Sequence, residues 1–411
     1  MSWPRTSLPV LALLVVSGCG SDSNDQDATG GTNGTGGSGG AGVSADELLN
    51  LGEYEVGYRE MTFSYTVAAT DEVREIPMRM WYPAAPNSGA PTALYAVAGI
   101  VEVPREIALD EPPVAEGGNF PLAIYSHGSG SEALTGYPFG ELLASHGWVV
   151  ASPNHVGNTV LDGLGGTSTP FALTALNRPT DITGVIDWLE SGLGEDDLAG
   201  AADTSAVFII GHSFGGYTAF SVGGVDQDFD ALTENCDEQE PSESCMIYVE
   251  PEVEAAYRAG FRDPRVVAIS PQAPALLAPA DGTLAALEVP TMLMSGLLDK
   301  TTPHATQAAP AWAALDHPGD IWVDMPMGAH FTFVTICHDL DPMILNIFQP
   351  DAPEDGCDFE QFTPTPQAIP VIAAYLLAFG RRHVLGETEW DEILRGEPIG
   401  DIDDQFEITV R

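Results

Sequence analysis

One stretch constrains this chain more than any other: Ala206-Val-Phe-Ile-Ile210, followed at once by Gly211-His-Ser213-Phe-Gly215-Gly216. The apolar run reads as a buried parallel strand, and Phe214-Gly-Gly-Tyr-Thr-Ala-Phe-Ser-Val-Gly reads as a closely packed helix after it. A strand that turns directly into a helix leaves no room for side chains beside the turn, so glycine is needed at 211 and 215. The hydroxyl between them is then lifted above the sheet. This nucleophile elbow predicts Ser213 as a catalytic nucleophile; an ordinary Gly/Ser turn lacks the strand and helix on either side.

The same alternation extends along the chain. Phe120-Pro-Leu-Ala-Ile-Tyr-Ser126 runs into His127-Gly-Ser129-Gly130, a helix is expected over 139–146, and a strand at Trp148-Val-Val-Ala-Ser. Residues 161–169 read as a glycine-rich loop, and 181–190 carries apolar residues at helical spacing. After the elbow, strands are expected at 265–270, 289–295 and 321–325, with helices over 305–315 and 370–379 and a small strand at 406–410. This predicts an α/β, doubly wound, mostly parallel sheet. Residues 61–67 and 74–83 predict an antiparallel hairpin at its N-terminal edge, and residues 84–119, rich in Pro, Ala and Glu, an irregular connection. Two acidic insertions interrupt the pattern, at about 225–263 and 337–365.

The beginning is of another kind. Residues 1–18 carry Arg5 and the apolar run Leu8 to Val16, which predicts an export signal. Val16-Ser-Gly-Cys19 resembles a bacterial lipobox, so Cys19 is the expected lipidation site, with an ordinary signal peptide as the alternative. The rest of 19–44 is almost wholly Gly, Ser, Thr, Asp and Asn, a flexible tether, and the catalytic domain is expected over 45–411. The expected location is therefore the bacterial cell envelope or cell surface, with membrane attachment by the lipid anchor only.

Charge narrows the partners. Asp and Glu number 60 against 14 Lys and Arg, a formal charge of −46. Such a field repels nucleic acid, which is excluded as a partner. A monomer is the favoured oligomeric state. Without Cys19, Cys236, Cys245, Cys337 and Cys357 remain, an even number in an exported chain, which predicts two disulfides. Three connectivities are possible; one bridge inside each insertion is favoured, and zinc is the weaker reading because the spacings are irregular. No metal or organic cofactor is expected.

A serine hydroxyl needs a base and a third group to orient that base. In this architecture the acid and then the histidine follow the nucleophile. Asp299 lies just past the strand ending at 295 and His330 just past the strand ending at 325, both at carboxyl ends, where function gathers in open sheets. His304, His317, Asp281 and Asp324 are less well placed. The backbone N–H groups of Phe214 and Ser129 are expected to hold a developing oxyanion, His127 to brace its loop, and His212 to pack under the elbow.

Trp81-Tyr-Pro83, Pro121-Leu-Ala-Ile-Tyr-Ser-His127-Gly128, Ala144-Ser-His-Gly147, Gly211-His-Ser-Phe-Gly-Gly216 and Gly328-Ala-His330-Phe331 together resemble the α/β-hydrolase group of platelet-activating-factor acetylhydrolases and bacterial proteins labelled predicted dienelactone hydrolases. Asn154-His155, Gly157-Asn-Thr159, Arg178-Pro179 and Asp181-Ile182 are similar to the bacterial branch. The likeness covers about 60–383 and implies Ser213 as nucleophile, His330 as base, Asp299 as acid, and N–H donors at Ser129 and Phe214. Animal acetylhydrolases place the acid after the preceding strand, where this chain has Ser270-Pro271, and true dienelactone hydrolases use a cysteine where it has Ser213. The expectation is a serine esterase acting on a small-molecule or lipid ester. A phospholipid acetylhydrolase or lipase, a polyester hydrolase, and a non-catalytic surface binding protein on the same fold are the alternatives.

Overall fold

The computed structural model describes residues 45–97, 99, 101–192, 196–198, 200–234, 236, 242–397, 399 and 405–411. The expected signal, Cys19 and the tether lie outside the described residues. The strands are β1 Glu55–Val67, β2 Glu72–Ala84, β3 Thr92–Val97, β4 Val101–Asp110, β5 Phe120–Ser126, β6 Val149–Pro153, β7 Ala202–His212, β8 Val266–Gln272, β9 Met292–Gly296, β10 Ile321–Met325 and β11 Glu407–Val410. They form a single sheet in the order β11-β10-β9-β8-β7-β5-β6-β2-β1-β4-β3. The run β6-β5-β7-β8-β9-β10 is parallel, while β11 and the β1–β2 hairpin join it antiparallel.

Parallel strands must bury both faces, which explains why β7 is continuously apolar. Its side chains alternate: Phe208 and Ile210 enter a core with Trp81, Phe139 and Phe379, while Val207 and Ile209 enter another with Ile124, Val185 and Phe220. The helices Tyr137–Ser145 and Thr365–His383 cover the first face, and Phe171–Ser191 and Phe214–Gly223 the second. Each fully buried Ile or Phe contributes roughly 1.5–3 kcal/mol from apolar burial.

Two expectations give way. Residues 84–119 are not an irregular connection: they supply β3 and β4, which extend the sheet beyond β1, so the N-terminal hairpin lies inside the edge. The pull is a period of two, with Ala93 and Tyr95 buried, and the Tyr95 hydroxyl accepts a 2.7 Å bond from Trp81 Nε1 in the core. Proline concealed it, since Pro104 sits within β4. Nor is 161–169 wholly loop. Val160–Gly165 is a short helix, started by Thr159 and Asp162 bonding reciprocally and stopped at Gly166, where φ is 69°.

The carboxyl ends of β5 and β7 lie side by side, with Ser126 opposite Gly211. The loop 127–130 and the elbow therefore start from neighbouring strands. The ends of β9 and β10 are likewise in register, Gly296 opposite Met325, which brings the two later candidate loops together.

Candidate active site

At the elbow, Ser213 has φ 57° and ψ −116°, a backbone that a non-glycine residue adopts at a cost of roughly 1–3 kcal/mol. The surroundings hold it there. Ser213 N–H donates to the Gln272 carbonyl (2.8 Å), and its own carbonyl accepts from Gly216 (2.9 Å) and Ala275 (3.0 Å). A Cβ at Gly211 would overlap the Gly215 carbonyl, and one at Gly215 the carbonyl of Ser126. The need for glycine at these two positions is therefore steric.

His330 opens the 3-10 turn His330–Phe333 after β10, and Asp299 lies in the loop after β9. The two loops touch through backbone: a Cβ at Gly296 would run into Gly328. His330 Nε2 is 2.9 Å from Ser213 Oγ, and His330 Nδ1 is 2.9 Å from Asp299 Oδ2. All three are buried, Ser213 being 9% exposed, so its hydroxyl sits at the floor of the surface rather than on it. Asp299 is fixed in turn by Thr302, whose N–H donates to Oδ1 (2.6 Å) and whose hydroxyl lies 2.7 Å from Oδ2. Thr302 Oγ1 is also 3.1 Å from His330 Nδ1. In this arrangement, Nε2 can take a proton from Oγ while the carboxylate orients the ring and faces the charge that forms on it.

The other candidates fall elsewhere. His304 Nε2 pairs with Asp324 (3.3 Å), which also accepts from the Ser295 hydroxyl, a cluster behind β9 and β10. His317 is tied into a turn by Asp320. His212 donates from Nε2 to the His330 carbonyl (2.9 Å), and burial, reinforced by the neighbouring His330, pushes it down to about 3. It stays neutral and braces the backbone of His330.

Beside the elbow, the loop 127–130 rests on a buried polar network. Gly128 lies against the elbow: a Cβ there would come within 3.2 Å of Ser213 Cβ. Arg178, fully buried, donates to the carbonyls of His127 (2.7 Å) and Gly128 (3.0 Å) and to Asn158 Oδ1 (2.6 Å). Its guanidinium lies 4.7 Å from the Phe214 ring centroid. Burial lowers it to about 9, so it is cationic at neutral pH. A peptide's C=O and N–H point opposite ways, so holding the Gly128 carbonyl turns the Ser129 N–H away from Arg178. No hydrogen bond among the described residues uses the N–H of Ser129 or of Phe214. His127 bonds its own loop through Gly128 and accepts from His155 N–H; burial and then Arg178 hold it well below its ordinary value. Asp181 anchors the base of the network, accepting from Arg74 (2.8 Å) and His155 (2.9 Å). Burial opposes its charge, yet these bonds hold its carboxyl below the usual range, while burial pushes His155 down to about 4.

Thr302, which holds Asp299, is not among the residues that the sequence patterns mark. The motif Asp299-Lys-Thr-Thr302 offered a signal, because Thr N–H and hydroxyl groups readily bond a carboxylate three residues back. Arg178 is marked in the sequence only through the Arg178-Pro179 pair that is similar to the bacterial branch.

Both disulfides close within their own insertions, Cys236–Cys245 with Cα atoms 5.6 Å apart and Cys337–Cys357 with 4.9 Å.

Comparison with known proteins fits this geometry. Residues 123–393 match the family described as "Alpha/beta hydrolase family". A platelet-activating factor acetylhydrolase of Cavia porcellus is 27% identical over 230 residues, which are 43% of this chain and 52% of that protein. The chain thus spans about half the length of the curated relative it matches. The solved structure of a ferulic acid esterase from Streptomyces cinnamoneus is similar in fold, with a TM-score of 0.58, 21% identity, and coverage of 87% of this chain and 96% of that one.

Proposed function

The chain belongs to the alpha/beta hydrolase family, and on that premise we propose that it is a serine esterase that cleaves carboxylic esters through an acyl-enzyme. The observation that carries the reading is the unbroken line from Ser213 Oγ through His330 to Asp299, each step 2.9 Å. His330 Nε2 takes the hydroxyl proton as Oγ bonds to the ester carbonyl carbon, whose π electrons move onto oxygen. The N–H groups of Phe214 and Ser129 receive that oxyanion; the first sits at a helix start, and the second is turned by Arg178. The intermediate collapses as the carbon–alkoxy bond breaks and Nε2 returns the proton to the leaving oxygen. Water then repeats the sequence and releases the acid.

Both named relatives act on esters according to their names, a platelet-activating factor acetylhydrolase and a ferulic acid esterase, which supports the same bond class here. Beside the 127–130 loop lies a small cavity with apolar walls from Val97, Val160, Ile336, Leu340 and Phe348, and with Ser131, Glu132, Thr135 and Gln349 also in its lining. It suits an uncharged apolar group of the substrate, and a net charge of −46 disfavours anionic esters. The segment 1–44 supports an exported protein held to a membrane by lipid on Cys19.

The test is hydrolysis of p-nitrophenyl esters of increasing acyl length by the full chain and by Ser213→Ala. Turnover by the wild type that the variant loses is expected; no turnover of any ester, or equal turnover by both, contradicts the reading. Cys19→Ala is expected to leave the membrane fraction, and its retention there contradicts the anchor.

A further inference from the structure

We propose that Asp355 is a positioning residue for the triad: it ties the loop of the acid to the loop of the base, and the Cys337–Cys357 bridge holds it in place. For its kinetic consequence this rests on the esterase reading; its structural content does not.

Asp355 lies in the second insertion, 2% exposed, where a carboxylate is costly unless its oxygens are satisfied. Every donor that satisfies it comes from the two catalytic loops. Oδ1 accepts from the N–H of Lys300 (2.9 Å) and of His330 (3.3 Å). Oδ2 accepts from the N–H (2.9 Å) and hydroxyl (2.8 Å) of Thr301. Its carbonyl accepts from the N–H of Phe331 (2.9 Å). Lys300 and Thr301 directly follow Asp299, so one side chain grips the acid loop beside the acid and the base loop at the base itself.

The insertion cannot hold this grip from a distance. Gly356 has φ 131°, and a Cβ there would stand 3.0 Å from the N–H nitrogens of Phe331 and Thr332. Glycine therefore lets the segment press against the base loop. On one side of Asp355, the Ala352 carbonyl accepts from the N–H groups of Asp355 (3.1 Å) and Cys357 (2.9 Å), closing a tight turn. On the other, the bridge ties Cys357 to Cys337, seven residues beyond His330. The bridge thus shortens the path by which Asp355 could drift from the residues it holds.

The consequence is geometric. The Asp299–His330 bond joins two loops that follow different strands, and their register decides whether Nε2 points at Ser213 Oγ. Misplacement by about 1 Å costs on the order of 100-fold in rate.

Asp355→Asn keeps the shape but sets an amide donor against backbone donors, and Asp355→Ala removes the grip. Steady-state kinetics on a short p-nitrophenyl ester, normalised to folded protein, are expected to show kcat reduced about 30- to 100-fold in Asp355→Asn, with KM within about threefold. The low-field proton resonance of the His330–Asp299 hydrogen bond is expected to shift or vanish in either variant, while the far-ultraviolet circular dichroism is retained. A role confined to stability lowers the melting temperature and moves neither kcat per folded molecule nor that resonance, and this result overturns the proposal. If the wild type hydrolyses no ester, the esterase reading falls and the resonance alone decides the role of Asp355: unchanged in folded Asp355→Asn, it refutes the coupling.

Discussion

The two insertions are both acidic and both closed by a disulfide, yet the contacts that tie them to the body differ in balance. The first, with helices Phe229–Thr233, Glu243–Tyr248 and Pro251–Ala259, is attached mainly by apolar contact, with a bond from Tyr257 to the Ala172 carbonyl beside it. Phe229, Tyr248, Val253 and Tyr257 form a small core with Leu176, Phe214 and Tyr217. The second packs a smaller apolar cluster of Leu340, Leu345 and Ala352 and adds a buried carboxylate, Asp355, set between the loops of Asp299 and His330. Apolar packing is non-directional and tolerates small shifts, whereas hydrogen bonds to a shared carboxylate weaken steeply with angle and distance. Loss of the first insertion's contacts is therefore expected to show in stability, and loss of Asp355 in the alignment of His330 with Ser213.

Loss of the acid itself sets the ceiling against which either insertion is read. Asp299→Asn is expected to lower kcat by roughly 10⁴-fold in steady-state assays, because the ring loses its orienting partner. Below that ceiling the two bridges part. Cys337→Ser with Cys357→Ser is expected to lower kcat about tenfold, as Asp355 gains freedom. Cys236→Ser with Cys245→Ser is expected to keep kcat within about twofold while urea unfolding shows a loss of about 2–4 kcal/mol. Equal losses of kcat in the two variants would erase the distinction.

Acid probes what the two regions share. His155 and His212 have folded values of about 4 and about 3, below the ordinary 6.5, so the unfolded chain binds protons that the folded one refuses. Stability is therefore full above pH 6.5 and falls as the pH drops toward 4. The urea midpoint should decline by similar amounts in both cysteine variants, since neither histidine belongs to an insertion. The smallest effect is expected from Tyr257→Phe, which removes a 2.6 Å bond from the first insertion to the Ala172 carbonyl. It should cost about 1 kcal/mol in urea unfolding and leave kcat unchanged.

What could be read from sequence divides along the same line. The elbow, the parallel strands, and the positions of Asp299 and His330 after them were legible because apolar periodicity and steric demand at Gly211 and Gly215 are local. β3 and β4 were not, because Pro104 and the alanines around Tyr95 mask a period of two that burial enforces. The helix Val160–Gly165 was hidden by its glycines, although the Thr159–Asp162 pair that starts it was in plain view. Asp355 carried no signal at all: it is one acid among 60 acidic residues, and only the fold singles it out by burying it against two loops distant in sequence.

Everything proposed for the site turns on acylation of Ser213 during turnover. Reaction of the full chain with a fluorophosphonate, followed by mass spectrometry of its peptides, tests it most directly. One phosphonyl group is expected on Ser213, none on Ser213→Ala, and slower labelling of Asp355→Asn. Label on another residue, or equal labelling of Ser213→Ala, would contradict it.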